Sequence, residues 1–179
     1  DMKEEAEEVL KEIEEVLKEH RDINRRLLEE IKKSLEDLSR EVERVLDEIR
    51  RLLKRAVEER PDVEELEEDV RRILREIEER LKDVRRRNRE ILERIKEESK
   101  RVSEEVKKIL EEIKKRVTET QGADEEVRKI VEDLKKRLKE LSEKSERIVR
   151  KVHRDNERVV REIRDIVRRL KKRLEDATR

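Results

Sequence analysis

Apolar residues return every three or four positions along nearly the whole chain, which is the spacing of one face of an α-helix. Val16, Leu17, Ile23, Leu27, Leu28, Ile31 and Leu35 trace the first such stripe. Two breaks divide the pattern into three parts of similar length. Pro61 ends a helix at or before Arg60, and Asp62 with Glu65 supplies a capping-box-like start for the next. Gly122 serves as a helix C-cap, and Asp124 is the N-cap that follows it. Asp1-Met2 reads as a remnant ahead of the first helix. The pattern predicts helices at about 3–58, 62–118 and 124–177, each roughly 80 Å long at 1.5 Å per residue. Short connections require antiparallel neighbours. The expected fold is all-α: one domain over residues 1–179, an up-down-up antiparallel three-helix bundle of long, nearly straight helices.

The stripes repeat every 18 residues. Ile13, Ile31 and Ile49 align, as do Leu10, Leu28 and Leu46, and Leu17, Leu35 and Leu53. So do Ile73, Ile91 and Ile109, Ile77, Ile95 and Ile113, and, in the third part, Val131, Val149 and Val167. Eighteen residues make about five whole turns. A heptad repeat imposes a left-handed supercoil, and this repeat imposes almost none. At 100° per residue the first stripe covers roughly 120° of arc, a width that suits a helix touching two neighbours.

Polar residues interrupt the stripes at particular heights. The first carries His20, Asn24 and Ser34, with Ser39 a turn away; the second Asn88, Ser99 and Ser103; the third Ser142, Ser145, His153 and Asn156. Matching heights across the two hairpins places His20 level with residues 101 and 139, and Ser34 level with 87 and 153. Two bands result. One joins His20, Asn24, Ser99, Ser103, Ser142 and Ser145. The other joins Ser34, Ser39, Asn88, His153 and Asn156. Each unpaired buried polar group costs about 1–3 kcal/mol, so the workable arrangement is a connected hydrogen-bond network. His153 stands at the edge of its stripe, in register with Lys135 and Lys171, where half exposure is expected.

Composition sharpens this picture. The chain has 179 residues, 59% of them charged, and no Phe, Tyr, Trp or Cys. Such charge content suits disorder as well as long helices, but 53 acidic residues balance 53 basic ones and the apolar positions are periodic. A net charge of zero argues against a general nucleic-acid binder, and no run has the length of a membrane span. Residues 1–60 hold 15 basic and 20 acidic groups, a net of −5, whereas 121–179 hold 20 and 14, a net of +6. Opposite signs favour the first and third helices as neighbours. Acidic residues crowd each helix start and basic ones each end, at Lys54 and Arg55, Lys114 to Arg116, and Lys171 to Arg173, the sense that the helix dipole favours.

No catalytic constellation emerges. His20 and His153 differ by roughly 20 Å in height, too far to share a metal. No carboxylate lies within a stripe to activate a Ser–His pair, and there is no glycine-rich phosphate loop. No catalytic, metal or cofactor site is expected, and the polar residues read as structural networks that fix register.

The 18-residue repeats, the Ser/Asn/His layers in an Ile/Leu/Val core, the connections Arg60-Pro61-Asp62 and Gln121-Gly122-Ala123-Asp124, and the aromatic-free Glu/Lys/Arg surface resemble de novo designed helical bundles with buried hydrogen-bond networks. The resemblance covers the whole chain and implies a structural purpose. Many such designs are paired hairpins or homo-oligomers, which leaves two readings. One is a monomeric scaffold requiring no partner, nucleic acid or membrane, soluble and synthetic, with no assigned compartment. The alternative is a helical interaction module, one component of a designed hetero-oligomer or split bundle. Spectrin-type triple-helical repeats carry aromatic cores and irregular heptads, and neither occurs here.

Overall fold

The computed structural model describes residues 2–120 and 124–178, without the side chains of Met2 and Lys3. It is an all-α three-helix bundle of α1 (Met2–Glu59), α2 (Glu64–Thr120) and α3 (Glu125–Ala177). Asp1, residues 121–123 and Arg179 lie outside the described residues, and with them the expected Gly122 C-cap. Helices of 58, 57 and 53 residues follow from interiors free of Gly and Pro and rich in the strong helix formers Glu, Lys, Arg and Leu. Ion pairs one turn apart reinforce them, such as Glu41–Arg44 at 2.7 Å and Glu67–Arg71 at 2.9 Å.

The helix boundaries show where local chemistry acts. Asp124 Oδ1 accepts a hydrogen bond from the Val127 amide at 2.9 Å, and the Asp124 carbonyl accepts from Arg128 at 3.1 Å; this is an N-cap. Asp124→Ala should therefore cost about 1 kcal/mol in urea unfolding, and an unchanged midpoint would argue against the cap. At the other connection α2 starts at Glu64, two residues beyond the expected start at Asp62. The Val63 amide donates to the Arg60 carbonyl at 3.4 Å, and the Val63 carbonyl takes the first helical bond, from Glu67. Pro61 and Asp62 are thus the central residues of a turn, where proline's fixed φ is favourable, and Val63 occupies the cap position expected of Asp62. The expected basic helix ends also need correction. No basic residue lies in the last turn of any helix. Glu58 and Glu59 close α1, and Glu175 and Asp176 lie in the closing turn of α3. The basic clusters at Lys54 and Arg55, Lys114 to Arg116, and Lys171 to Arg173 all precede the turn in which the dipole acts most strongly.

The chain divides into two compact units, and each helix contributes a segment to both. The first unit holds residues 1–30 and 91–150. Its apolar core gathers Ile13, Leu17, Val102, Val106, Ile113, Val127, Val131, Leu134 and Leu138. Direction follows from its ion pairs. Glu5–Arg128 (3.0 Å) and Glu12–Lys135 advance together along α1 and α3, so these run parallel. Glu105–Arg137 (2.6 Å) and Arg116–Glu126 (3.1 Å) run in opposite senses, so α2 is antiparallel to α3. The second unit holds residues 31–90 and 151–179, with a core that includes Val42, Ile49, Ala56, Val70, Ile77, Ile163 and Leu170. Here Glu41–Arg164 (2.9 Å) and Glu48–Lys171 (2.5 Å) are parallel pairs, and Glu43–Arg85 (2.8 Å) and Arg50–Glu78 antiparallel ones. Both units are up-down-up.

The 18-residue repeat is visible in burial. Ile13, Ile31 and Ile49 are all at most 1% exposed, and Val131, Val149 and Val167 at most 5%. The α1–α3 ion pairs obey it too, since Glu41 and Glu48 stand two repeats after Glu5 and Glu12. These four place the acid on α1 and the base on α3, the sense of the charge asymmetry between the first and third segments, and Arg26–Glu146 at 3.3 Å reverses it. Such partly exposed pairs add under about 1 kcal/mol each, so they bias helix pairing and the buried aliphatic side chains drive it.

Candidate functional site

Five polar side chains are buried among the described residues: His20, Asn24, Asn88, Ser142 and Asn156. They belong to two hydrogen-bonded clusters, one in each unit.

In the first unit α1 places His20 and Asn24 one turn apart on its inner face. His20 Nδ1 lies 2.9 Å from Ser142 Oγ on α3. The Asn24 Nδ2 group reaches His20 Nε2 at 3.2 Å and Ser99 Oγ on α2 at 3.1 Å. Three helices therefore share one set of bonds. Asn24 Oδ1 is buried and has no partner, a deficit worth about 1–3 kcal/mol. Ser103 and Ser145 are half-buried and take no part in these bonds. Height matching puts His20 beside residue 139, whereas its partner is Ser142, three residues on. Setting residue 101 level with 139 centres the second connection on residue 120, yet α2 runs to Thr120 and α3 starts only at Glu125. The true centre lies later along the chain, which carries the α3 partners to higher numbers.

In the second unit Asn88 and Asn156 form a reciprocal amide pair. Asn88 Nδ2 donates to Asn156 Oδ1 at 3.2 Å, and Asn156 Nδ2 donates to Asn88 Oδ1 at 2.9 Å. Their remaining hydrogens go to the Val84 carbonyl at 2.8 Å and to Ser34 Oγ at 3.1 Å. Ser34 Oγ lies 3.4 Å from His153 Nδ1, and His153 Nε2 lies 2.9 Å from Glu157 Oε1. Again α1, α2 and α3 each contribute. His153 is the outer end of this chain of bonds, with 59% of its side chain exposed, more than the half exposure expected from its stripe edge. Ser39 is not in the cluster. Arg85 Nε donates to it at 3.1 Å while Arg85 Nη2 bonds Glu43, on the α1–α2 seam. Arg85, Glu157 and the Val84 carbonyl are contributors that the stripe pattern does not single out. Glu157 is the i+4 neighbour of His153, a spacing open to sequence reasoning; the backbone carbonyl carries no sequence signal.

Burial pushes the His20 pKa below its ordinary 6.5, with Glu98 pulling more weakly the other way. The unfolded chain takes up that proton near 6.5, while the fold resists it. Stability is thus whole above pH 6.5 and declines as pH falls below it. The urea midpoint should drop between about pH 7.5 and 5 in the native protein and much less in His20→Leu. Equal drops in both would remove His20 as the cause.

Only the second cluster strings a hydroxyl, an imidazole and a carboxylate together, Ser34–His153–Glu157, with the carboxylate supplied from outside the apolar stripe; its hydroxyl contact is long at 3.4 Å, and Ser34 Oγ also accepts from Asn156. No carboxylate backs His20 in the bonds described, so the His20–Ser142 pair lacks the third group that orients a base. Among the described residues no group of three or more His, Cys, Asp or Glu side chains is placed to hold a metal ion. No described helix is long and apolar enough to cross a membrane. What the arrangement can do is hold helices to one another by directional bonds. The class defined is a three-helix bundle with polar hydrogen-bonded layers in an aliphatic core. No protein-family model, curated protein or solved structure matches the chain.

Proposed function

We propose that the chain is a de novo designed structural scaffold with no catalytic activity, a monomer whose residues 1–179 fold as one domain, and that its polar layers set helix register and order. The observation that carries this reading is the makeup of the two clusters: each takes at least one bonded side chain from every helix. An apolar stripe is nearly indifferent to rotation or sliding within its width, whereas a hydrogen bond is lost over roughly an ångström. Polar residues placed at one height on every helix therefore penalise other registers.

One further feature supports the monomer and another the single domain. Every described Ala, Val, Leu and Ile is buried or half-buried, which leaves no apolar face among them for another helix. The helices are also unbroken at residues 30–31, 90–91 and 150–151, as a single cooperative domain requires. Light scattering should give a mass near 22.0 kDa at all concentrations, with one unfolding transition shared by all probes. A stable dimer or trimer mass would favour the interaction-module reading, and two separate transitions would refute the single domain.

A further inference from the structure

We infer that His20 and Asn24 form a hydrogen-bond relay with two positions: neutral His20 carries its proton on Nδ1, and protonation of Nε2 turns the Asn24 amide over, so that Oδ1 replaces Nδ2 against the ring. The first position follows from donor and acceptor counting. An amide nitrogen has two hydrogens and nothing to accept with. Since Asn24 Nδ2 faces both His20 Nε2 and Ser99 Oγ, both must accept. The ring proton then sits on Nδ1 and is donated to Ser142 Oγ. The reversed amide would put Oδ1 between the ring and Ser99, and would move Nδ2 to the partnerless place of Oδ1. One unmatched acceptor would become two unmatched donors, so the neutral ring keeps the observed orientation.

Protonation inverts the balance. Nε2–H would face the Nδ2 hydrogens, donor against donor. With the amide turned, Oδ1 accepts from Nε2–H and from the Ser99 hydroxyl, and the bond to the cationic ring is the stronger kind. The proton has a route in, because His20 and Ser142 line a groove of about 410 Å³ along the α1–α3 seam of the first unit. Burial opposes a cation on the ring, and Glu98 favours one more weakly. Glu19 on α1 and Lys135, Lys139, Glu143 and Glu146 on α3 line the groove, and Glu98 on α2 also acts on the ring. Of these, Glu146 is paired with Arg26 and Lys135 with Glu12. His153 is an internal contrast: a carboxylate only accepts, so its bond to Glu157 puts the neutral proton on Nε2.

Long-range nitrogen–proton spectra of the two imidazoles test the relay. Above the titration, His20 should show a pyridine-like Nε2 and a pyrrole-like Nδ1, and His153 the reverse. On acidification, nuclear Overhauser contacts from the Asn24 amide hydrogens to the His20 ring should vanish as His20 titrates, with helicity retained. A pyrrole-like Nε2 on neutral His20, or amide contacts that persist through its titration, would overturn the relay. Asn24→Asp, which can only accept when ionised, should switch neutral His20 to the Nε2–H form and move its titration to higher pH. An unchanged tautomer in that variant would also overturn it, and the native spectra decide alone if the variant does not fold.

Discussion

Asn156→Leu is expected to destabilise the protein by about 3 kcal/mol, since it strips a buried amide of its partner, and adding Asn88→Leu is expected to recover most of that loss. Leucine branches at Cγ as asparagine does, so the change is chiefly one of polarity. In the single variant Asn88 Oδ1 loses its donor and Asn88 Nδ2 keeps only the Val84 carbonyl. Ser34 Oγ also loses the hydrogen that Asn156 supplies. Asn88 is 5% exposed, so water cannot readily substitute. With both amides gone nothing is left unmatched except Ser34, which has access to His153 and to solvent. Urea unfolding of the four members of this cycle gives the coupling directly. If the double variant were as unstable as the sum of the singles, the pair would be two independent packing positions.

Ile49→Ala should cost about 2–5 kcal/mol, the range for emptying a fully buried aliphatic site. Ile49 is 0% exposed and belongs with Leu46, Leu53, Ile77 and Ile163 to the core of the second unit. Two repeats earlier, Ile13→Ala should behave alike, because it holds the same place in the first unit at 1% exposure. Ile73→Ala should cost clearly less, since Ile73 is only half-buried against the same core as Ile49. Equal losses at Ile49 and Ile73 would contradict a stripe with a buried centre and wet edges.

The stripe centres were legible because angle on a helix depends only on position and pitch. Ile13, Ile31 and Ile49 follow from counting, and so does their near-complete burial. Asp124 as a cap was legible for a similar reason: Asx capping is a local matter of three residues. Heights were less so. They depend on where each connection is centred, and a repeating pattern does not say where a helix stops. Because α2 persists to Thr120, the second connection lies further along the chain than the matching placed it, which shifts the level opposite His20 from residue 139 to Ser142, a member of the expected band. Side-chain choices were least legible. Ser39 shares a face with the second layer, yet a long guanidinium from Arg85 reaches it first. Ser103 and Ser145 lie at fitting heights but are half-buried, where water competes for their hydroxyls. That Asn24 Oδ1 has no partner was not legible either, because a helical wheel fixes Cβ directions and not the reach of short side chains.

In the scaffold proposed, the polar layers, and not the aliphatic core, choose which faces of the helices meet. The chain has no cysteine, so Glu19→Cys and Lys139→Cys introduce unique spin-label sites on the two rims of the α1–α3 seam in the first unit. Their distance distribution is measured with the native layer and with His20→Leu, Asn24→Leu, Ser99→Ala and Ser142→Ala together. One narrow, short distance is predicted for the native layer, with additional longer populations for the apolar variant and no loss of its unfolding midpoint. A single narrow distance in both proteins would contradict the claim.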